Sequence, residues 1–147
     1  MQFRIASLEH GWAELVLTHG EQRAEIVASY LSDSPAELLS ALVLLMRGSD
    51  EERVVFEGEP GRTVMRLRRL GGDLVRIEVS GGPGEDDDPA GPPWFRHTEP
   101  LERLARRVHG EFARLLREIG AEGYRRGWGM YAFPERPFRE LGRLLEL

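Results

Sequence analysis

The chain opens on alternation. Phe3 and Ile5 fall on one side of an extended segment and Gln2 and Arg4 on the other, which predicts a short strand over residues 2–7. Glu9-His10-Gly11 reads as a turn. Ala13, Leu15 and Leu17 then alternate with Trp12, Glu14 and Val16. After His19-Gly20, Ala24, Ile26, Ala28 and Tyr30 alternate with Glu25, Val27 and Ser29. A two-residue His-Gly loop predicts Leu15 opposite Ala24 and Ala13 opposite Ile26, which keeps the apolar faces together. Trp12, Glu14, Arg23, Glu25 and Val27 then face outward.

The period changes at Ser34-Pro35-Ala36-Glu37. Ser34 can accept from the free N–H groups of a first helical turn, Pro35 fits N1, and Glu37 at N3 completes a capping box. The predicted helix runs to about Arg47, with Gly48 as its left-handed stop. Leu38, Leu39, Leu42, Val43, Leu44, Leu45 and Met46 leave it almost no polar face. Such a helix is buried on more than one side, which places it between the sheet and a second helix.

Alternation returns over residues 53–57, followed by a Gly-Glu-Pro-Gly turn and a hairpin over 62–69 and 73–79. Pairing Leu67 with Val75 and Met65 with Ile77 keeps the apolar side together and leaves a Leu70-Gly71-Gly72 loop. The outer face then carries Val64, Arg66, Arg68, Arg76 and Glu78, with Arg66 opposite Arg76, an unfavourable like-charge pair. Residues 80–93 are rich in Gly and Pro and contain Glu85-Asp86-Asp87-Asp88. Their composition predicts a mobile acidic loop within a single domain spanning 1–147.

From Pro100 onward the period is helical: Leu101, Leu104, Val108, Phe112, Leu115 and Ile119 form one stripe. Glu99–Arg103 and Glu102–Arg106 are i,i+4 pairs in the favourable order. Gly120 and Gly123 end or kink the helix. Residues 127–134 form an aromatic connection, and Phe138, Leu141, Leu144 and Leu145 a short final helix. The fold class is α+β, an antiparallel sheet of about six strands in two hairpin or meander units, with helices packed on one face.

Composition narrows the function. The chain is 41% apolar and 31% charged, has no Cys, and carries a net charge of −5. No apolar run approaches the ~20 residues of a membrane span. The N-terminus lacks the basic and apolar regions of a secretion signal, and absent cysteines exclude disulfides and thiolate metal sites, so the expectation is a cytoplasmic protein without a membrane segment. The acidic balance disfavours nucleic acid as a partner. Every basic residue is Arg, with no Lys and no Asn. GC-rich codon usage accounts for that, yet its consequence is a surface suited to bidentate carboxylate contacts.

No catalytic motif is present. His10, His19, His97 and His109 include no i,i+4 pair and no HExxH element. The acidic run lacks the EF-hand spacing. Gly81-Gly82-Pro83-Gly84 is not a phosphate loop, and there is no GxSxG elbow. The reading therefore assigns no catalytic residue, no metal and no cofactor. Two sets of interface-type residues remain. The first is Trp12 with Arg66, Arg68 and Arg76 on the outer sheet face, against which stands an ordinary solvated face with cross-strand charge pairs. The second is Trp128 and Tyr131, with Trp94, Phe95 and Phe133, against which stands core packing beneath helix ends.

Hairpin, the Ser-Tyr-Leu-Ser-Asp-Ser-Pro segment at 29–35, apolar helix, β-meander, long helix and the segment Gly-Tyr-Arg-Arg-Gly-Trp-Gly-Met-Tyr-Ala-Phe-Pro at 123–134 follow in order. This layout resembles small proteins of high-GC bacteria and is similar to immunity proteins of bacterial polymorphic toxin systems. The motifs are structural rather than catalytic. The resemblance implies a non-enzymatic protein-binding module that occludes a toxin's active site, with another protein, toxin or self, as partner. The alternative is a small-ligand-binding protein or enzyme with a pocket between the sheet and the C-terminal aromatic segment. A polar pocket holding His97 or His109 beside carboxylates would favour the alternative; a closed core with a broad mixed face would favour the binder.

Overall fold

The computed structural model describes residues 1–59, 61–82 and 92–147. The elements run β1 (Gln2–Glu9), β2 (Trp12–His19), β3 (Gln22–Ser29), α1 (Ser34–Met46), β4 (Glu51–Glu57), β5 (Arg62–Arg69), β6 (Leu74–Gly82), β7 (Phe95–Pro100), α2 (Leu101–Glu118), α3 (Gly120–Trp128) and α4 (Glu135–Leu144). The class is α+β, but the strands form two antiparallel sheets rather than one: β1-β2-β3 and β4-β5-β6-β7.

Two tight turns set the first sheet. His10 (φ 55) and Gly11 (φ 77) are both left-handed, as a two-residue turn between twisted strands requires, and they pair Glu9 with Trp12. The next turn centres on Gly20-Glu21, not on His19-Gly20. His19 pairs with Gln22, so Leu15 faces Ile26 and Ala13 faces Ala28. The reason is conformational: Gly20 takes φ 58 at the first central position of the turn, where glycine is favoured. The shift is two residues, so every side chain keeps its face.

The second hairpin is displaced in the same way. Leu67 faces Ile77 and Met65 faces Val79. Leu70 N–H donates to the Leu74 carbonyl, which closes a three-residue Gly71-Gly72-Asp73 loop, one position beyond Leu70-Gly71-Gly72, with Gly72 left-handed at φ 71. Arg66 therefore stands opposite Glu78, and the like-charge pair is Arg68 with Arg76. Ser80–Gly82 are the end of β6 rather than loop; residues 83–91 of the expected acidic loop lie outside the described residues.

β7 is the strand that patterning misses. Phe95, His97 and Glu99 pair with Val79, Ile77 and Val75, so they share the inner face, and two of the three are polar. The edge of β7 is bonded to β3 by a side chain. Gln22 Nε2 donates to the Arg96 carbonyl at 3.0 Å, and the Arg96 N–H donates to Gln22 Oε1 at 2.9 Å. An amide side chain thus stands in for a strand. β1 is closed similarly: Ile5 N–H donates to Glu111 Oε2 and Arg114 Nη2 donates to the Ile5 carbonyl, both at 2.9 Å. Glu111 and Arg114 are themselves paired at 2.8 Å. Covered edges resist strand addition by other chains.

α1 packs against β4, α2 and α4, which is the expected burial between sheet and helix. Leu39, Leu42 and Leu45 are fully buried, while Leu44 is exposed. The N-cap is Asp33, not Ser34. Ser34 is the buried first residue, and Pro35 follows it in the first turn. Gly48 at φ 110 ends the helix, with the Ser49 N–H returning to the Leu44 carbonyl. No basic residue lies in the last turn of α1. Arg69 of β5 supplies the charge instead, donating to the Leu45 and Ser49 carbonyls.

α2 buries Leu101, Leu104, Val108, Phe112 and Leu115. Ile119 is exposed, because the helix ends at Glu118 and Gly120 turns left-handed at φ 72. α3 then docks on β1 and β2. Its Gly127 lies so close to β1 that an added Cβ would sit 2.2 Å from the Leu8 carbonyl oxygen.

Candidate functional site

The alternation of β4 to β7 gathers charge on the outer face of the second sheet. Arg53, Arg62, Arg66, Arg68, Arg76 and Arg96 share it with Glu51, Glu57 and Glu78. Arginine outnumbers glutamate there, although the chain as a whole is acidic. Part of the charge is answered internally: Arg62 pairs with Glu57 at 3.0 Å, Arg96 with Glu78 at 3.5 Å and Arg68 with Glu51 at 3.7 Å. Arg76 faces Arg68 on one side and Thr98 on the other, so its cross-strand positions hold no carboxylate. Val64, expected on this face as an exposed residue, is buried.

Trp12 is half-buried on the first sheet, opposite Ser29 and Glu9. It therefore belongs to a different sheet from Arg66, Arg68 and Arg76, and the four do not form one face. Trp128 presents no surface at all, at 0% exposure. Its indole N–H donates to Asp33 Oδ1 at 3.0 Å. Tyr131 is half-buried against the Trp128 ring. Tyr124, Phe133 and Phe138 interlock edge to face. Tyr124, Trp128 and Phe133 of the aromatic segment are buried in the core, as the packing alternative expects. Trp94 departs from this: it is exposed, with its ring over Gly81.

Two histidines lie where only the fold could bring them. His97 Nε2 is 2.9 Å from Glu99 Oε1, and the His19 and His97 rings are 4.2 Å apart. Glu99 is 4% exposed, with Arg107 of α2 3.6 Å from its second oxygen. Burial holds the His97 pKa below the usual imidazole range, although Glu99 opposes it. The helical spacing pairs Glu99 with Arg103; as a strand residue Glu99 reaches His97 and Arg107 instead. His109 has a different role. It stacks on Phe138 at 4.2 Å, and burial lowers its pKa as well. Among the described residues no group of three or more His, Asp or Glu side chains could hold a metal ion.

Beside the Glu99–Arg107 pair, the exposed side of α2 carries a cleft of about 570 Å³ lined by Pro100, Glu102, Arg103, Arg106 and Arg107. Arg106 is held by Glu102 at 2.9 Å and by the Leu145 carbonyl at 2.9 Å. This cluster is hidden in the sequence by its ordinary appearance. Positions 103, 106 and 107 share one helical face, but so do many solvated arginines. No helix among the described residues is long and apolar enough to cross a membrane. The chain matches no family model, no curated protein and no solved structure with which it was compared.

Proposed function

We propose that this chain is a non-enzymatic protein-binding module, of the immunity type that inhibits a bacterial toxin, and that it meets its partner with the outer face of β4 to β7. The observation that supports this reading is the cross-strand placement of Arg68 opposite Arg76 on a face already rich in guanidinium, with Glu51 3.7 Å from Arg68 and Thr98 across from Arg76. Such a pair costs stability in the free protein. A carboxylate-bearing partner removes that cost and gains bidentate contacts. Arg76 is half-buried, so less ordering entropy remains to be lost on binding.

The test is co-expression with the protein encoded by the adjacent gene, followed by measurement of binding with both purified. The expected result is that the neighbour is toxic alone and silent with this chain. Arg68→Glu with Arg76→Glu should fold normally and weaken binding by at least about 100-fold, partly through slower association. Equal affinity of the double variant and the parent removes this face from the interface. A harmless neighbour that does not bind removes the immunity reading.

The His97–Glu99 pair favours the second reading, a small-ligand protein or enzyme, because a carboxylate-oriented imidazole is a common acid–base device. The pair lies on β7 at the seam with the first sheet, away from the aromatic segment where the pocket was expected. His97→Gln in a purified sample then abolishes any turnover found, and unchanged turnover excludes the pair.

A further inference from the structure

We infer that the cleft on α2 is a binding site for a small phosphoryl anion, with Arg103, Arg106 and Arg107 as its ligands. This stands apart from the sheet-face reading, since the cleft is on a helix, and meets the second reading only through Glu99, which anchors Arg107.

The argument begins with geometry. Positions 103, 106 and 107 are i, i+3 and i+4, so the three guanidinium groups converge on one side of α2. They line a single cleft of about 570 Å³. The depression is open to solvent along much of its rim and exceeds what one inorganic phosphate fills. A diphosphate, free or as the head of a larger molecule, fits the charge and the space.

Preorganisation is the second point. A free surface arginine is a poor ligand because ordering its side chain costs entropy. Two of these three are tied from behind. Arg107 is drawn to the buried Glu99 carboxylate at 3.6 Å, and Glu99 is itself fixed by His97 at 2.9 Å. Arg106 is held by Glu102 and by the main chain at Leu145. Each anchor uses part of the guanidinium fork and leaves other N–H donors for a ligand. Arg103 is exposed and supplies the closing contact.

Charge decides the sign. The lining has three cations against Glu102, with the Glu99 carboxylate behind Arg107, so the cleft keeps a positive charge in an acidic chain. Planar forks recognise tetrahedral oxyanions bidentately, which a lysine cluster would not do. Specificity for phosphoryl over carboxylate follows from converging donors around one multi-oxygen centre.

Isothermal titration of the full-length chain with inorganic pyrophosphate tests this, in buffer near physiological ionic strength so that general charge attraction is screened. One saturable site is expected. Arg103→Ala weakens it about tenfold, as does Arg107→Lys, which keeps the charge but not the fork. Arg125→Ala, an exposed arginine on α3, leaves it unchanged. Citrate binds at least about tenfold more weakly than pyrophosphate. The site is disproved by absence of saturation up to about 10 mM pyrophosphate. Equal losses in Arg103→Ala and Arg125→Ala also overturn it, because binding would then follow net charge. Citrate binding as tight as pyrophosphate overturns the phosphoryl assignment.

Discussion

Trp128 and Asp33 are joined by a hydrogen bond of 3.0 Å that ties the last residue of α3 to the N-cap of α1. Burial raises the Asp33 pKa, and the Trp128 indole and the Ala36 backbone pull it back, so the carboxyl gives up water and receives those two contacts in return. Trp128→Phe keeps an aromatic ring but removes the donor and part of the indole's volume, leaving the acceptor short of a partner beside a small cavity. A loss of about 1–3 kcal/mol is expected. Asp33→Asn keeps an acceptor oxygen and removes the charge, and it should cost less than Trp128→Phe. Urea melts of the two variants settle the order. A Trp128→Phe variant as stable as the parent would mean that the bond contributes nothing to docking α3.

Glycine makes a sharper contrast within the C-terminal helices. Gly127 sits against the backbone of β1, where an added methyl group would meet the Leu8 carbonyl oxygen at 2.2 Å. Backbone cannot give way as a side chain can, so Gly127→Ala pushes α3 off the sheet. The expected loss is about 1–3 kcal/mol. Gly110 lies inside α2, and a methyl group added there would meet nothing within 4 Å. There alanine relieves the entropy cost of a helical glycine, and Gly110→Ala should gain about 0.5–1 kcal/mol. The same substitution thus carries opposite signs at two sites 17 residues apart in sequence. Matching signs in denaturant melts would refute the close approach of α3 to β1.

The apolar periods carry most of the fold. Ala13, Leu15 and Leu17 opposite Ala24, Ile26 and Ala28 make faces legible, because a side chain's face depends only on parity. Register depends on where the turn is centred. Gly20 in the first hairpin and a loop centred on Gly72 in the second move each register by two residues without disturbing either face. That shift is what exchanges the Arg66–Arg76 contact for Arg68–Arg76. β7 is illegible for another reason: His97 and Glu99 occupy inward positions where patterning looks for apolar residues, and they are admitted there because they pair with each other and with Arg107. The capping residue is misplaced by one, since Asp33 and Ser34 are both good N-caps and only packing, which buries Ser34, separates them. The division into two sheets cannot be read at all. What joins the two is long-range, as in the bond between Gln22 and Arg96, two residues 74 positions apart.

Acid should weaken this protein before its carboxylates protonate. His97 is the group concerned. Burial lowers its pKa most strongly, and the neighbouring His19 ring and the Met1 amino group act in the same direction, while Glu99 opposes them. Arg107 of α2 stands beyond Glu99 and shares that carboxylate. A folded-state pKa below the ordinary 6.5 means that the unfolded chain takes up the proton more readily. Stability is then complete at neutral pH and declines as pH falls below about 6.5. His109, lowered by burial beneath Phe138, contributes in the same sense. Glu111 acts only at more acid pH: burial disfavours its charge, but Arg114 and the Ile5 N–H outweigh that and hold its pKa below 4.5. Its contribution persists above the ordinary carboxylate range and is lost as pH falls through the lowered value. Glu111 stays ionised at about pH 7.5 and about pH 5.5, while Asp33 and Glu37, raised by burial, act in the opposite sense to the histidines. Urea melts at both pH values are therefore compared between the parent and His97→Gln, which share those carboxyls. The parent should be less stable at the lower pH, and His97→Gln should show a smaller difference. A His97→Gln variant with the parent's full pH dependence would show that protonation at the β7 seam is not what destabilises the fold.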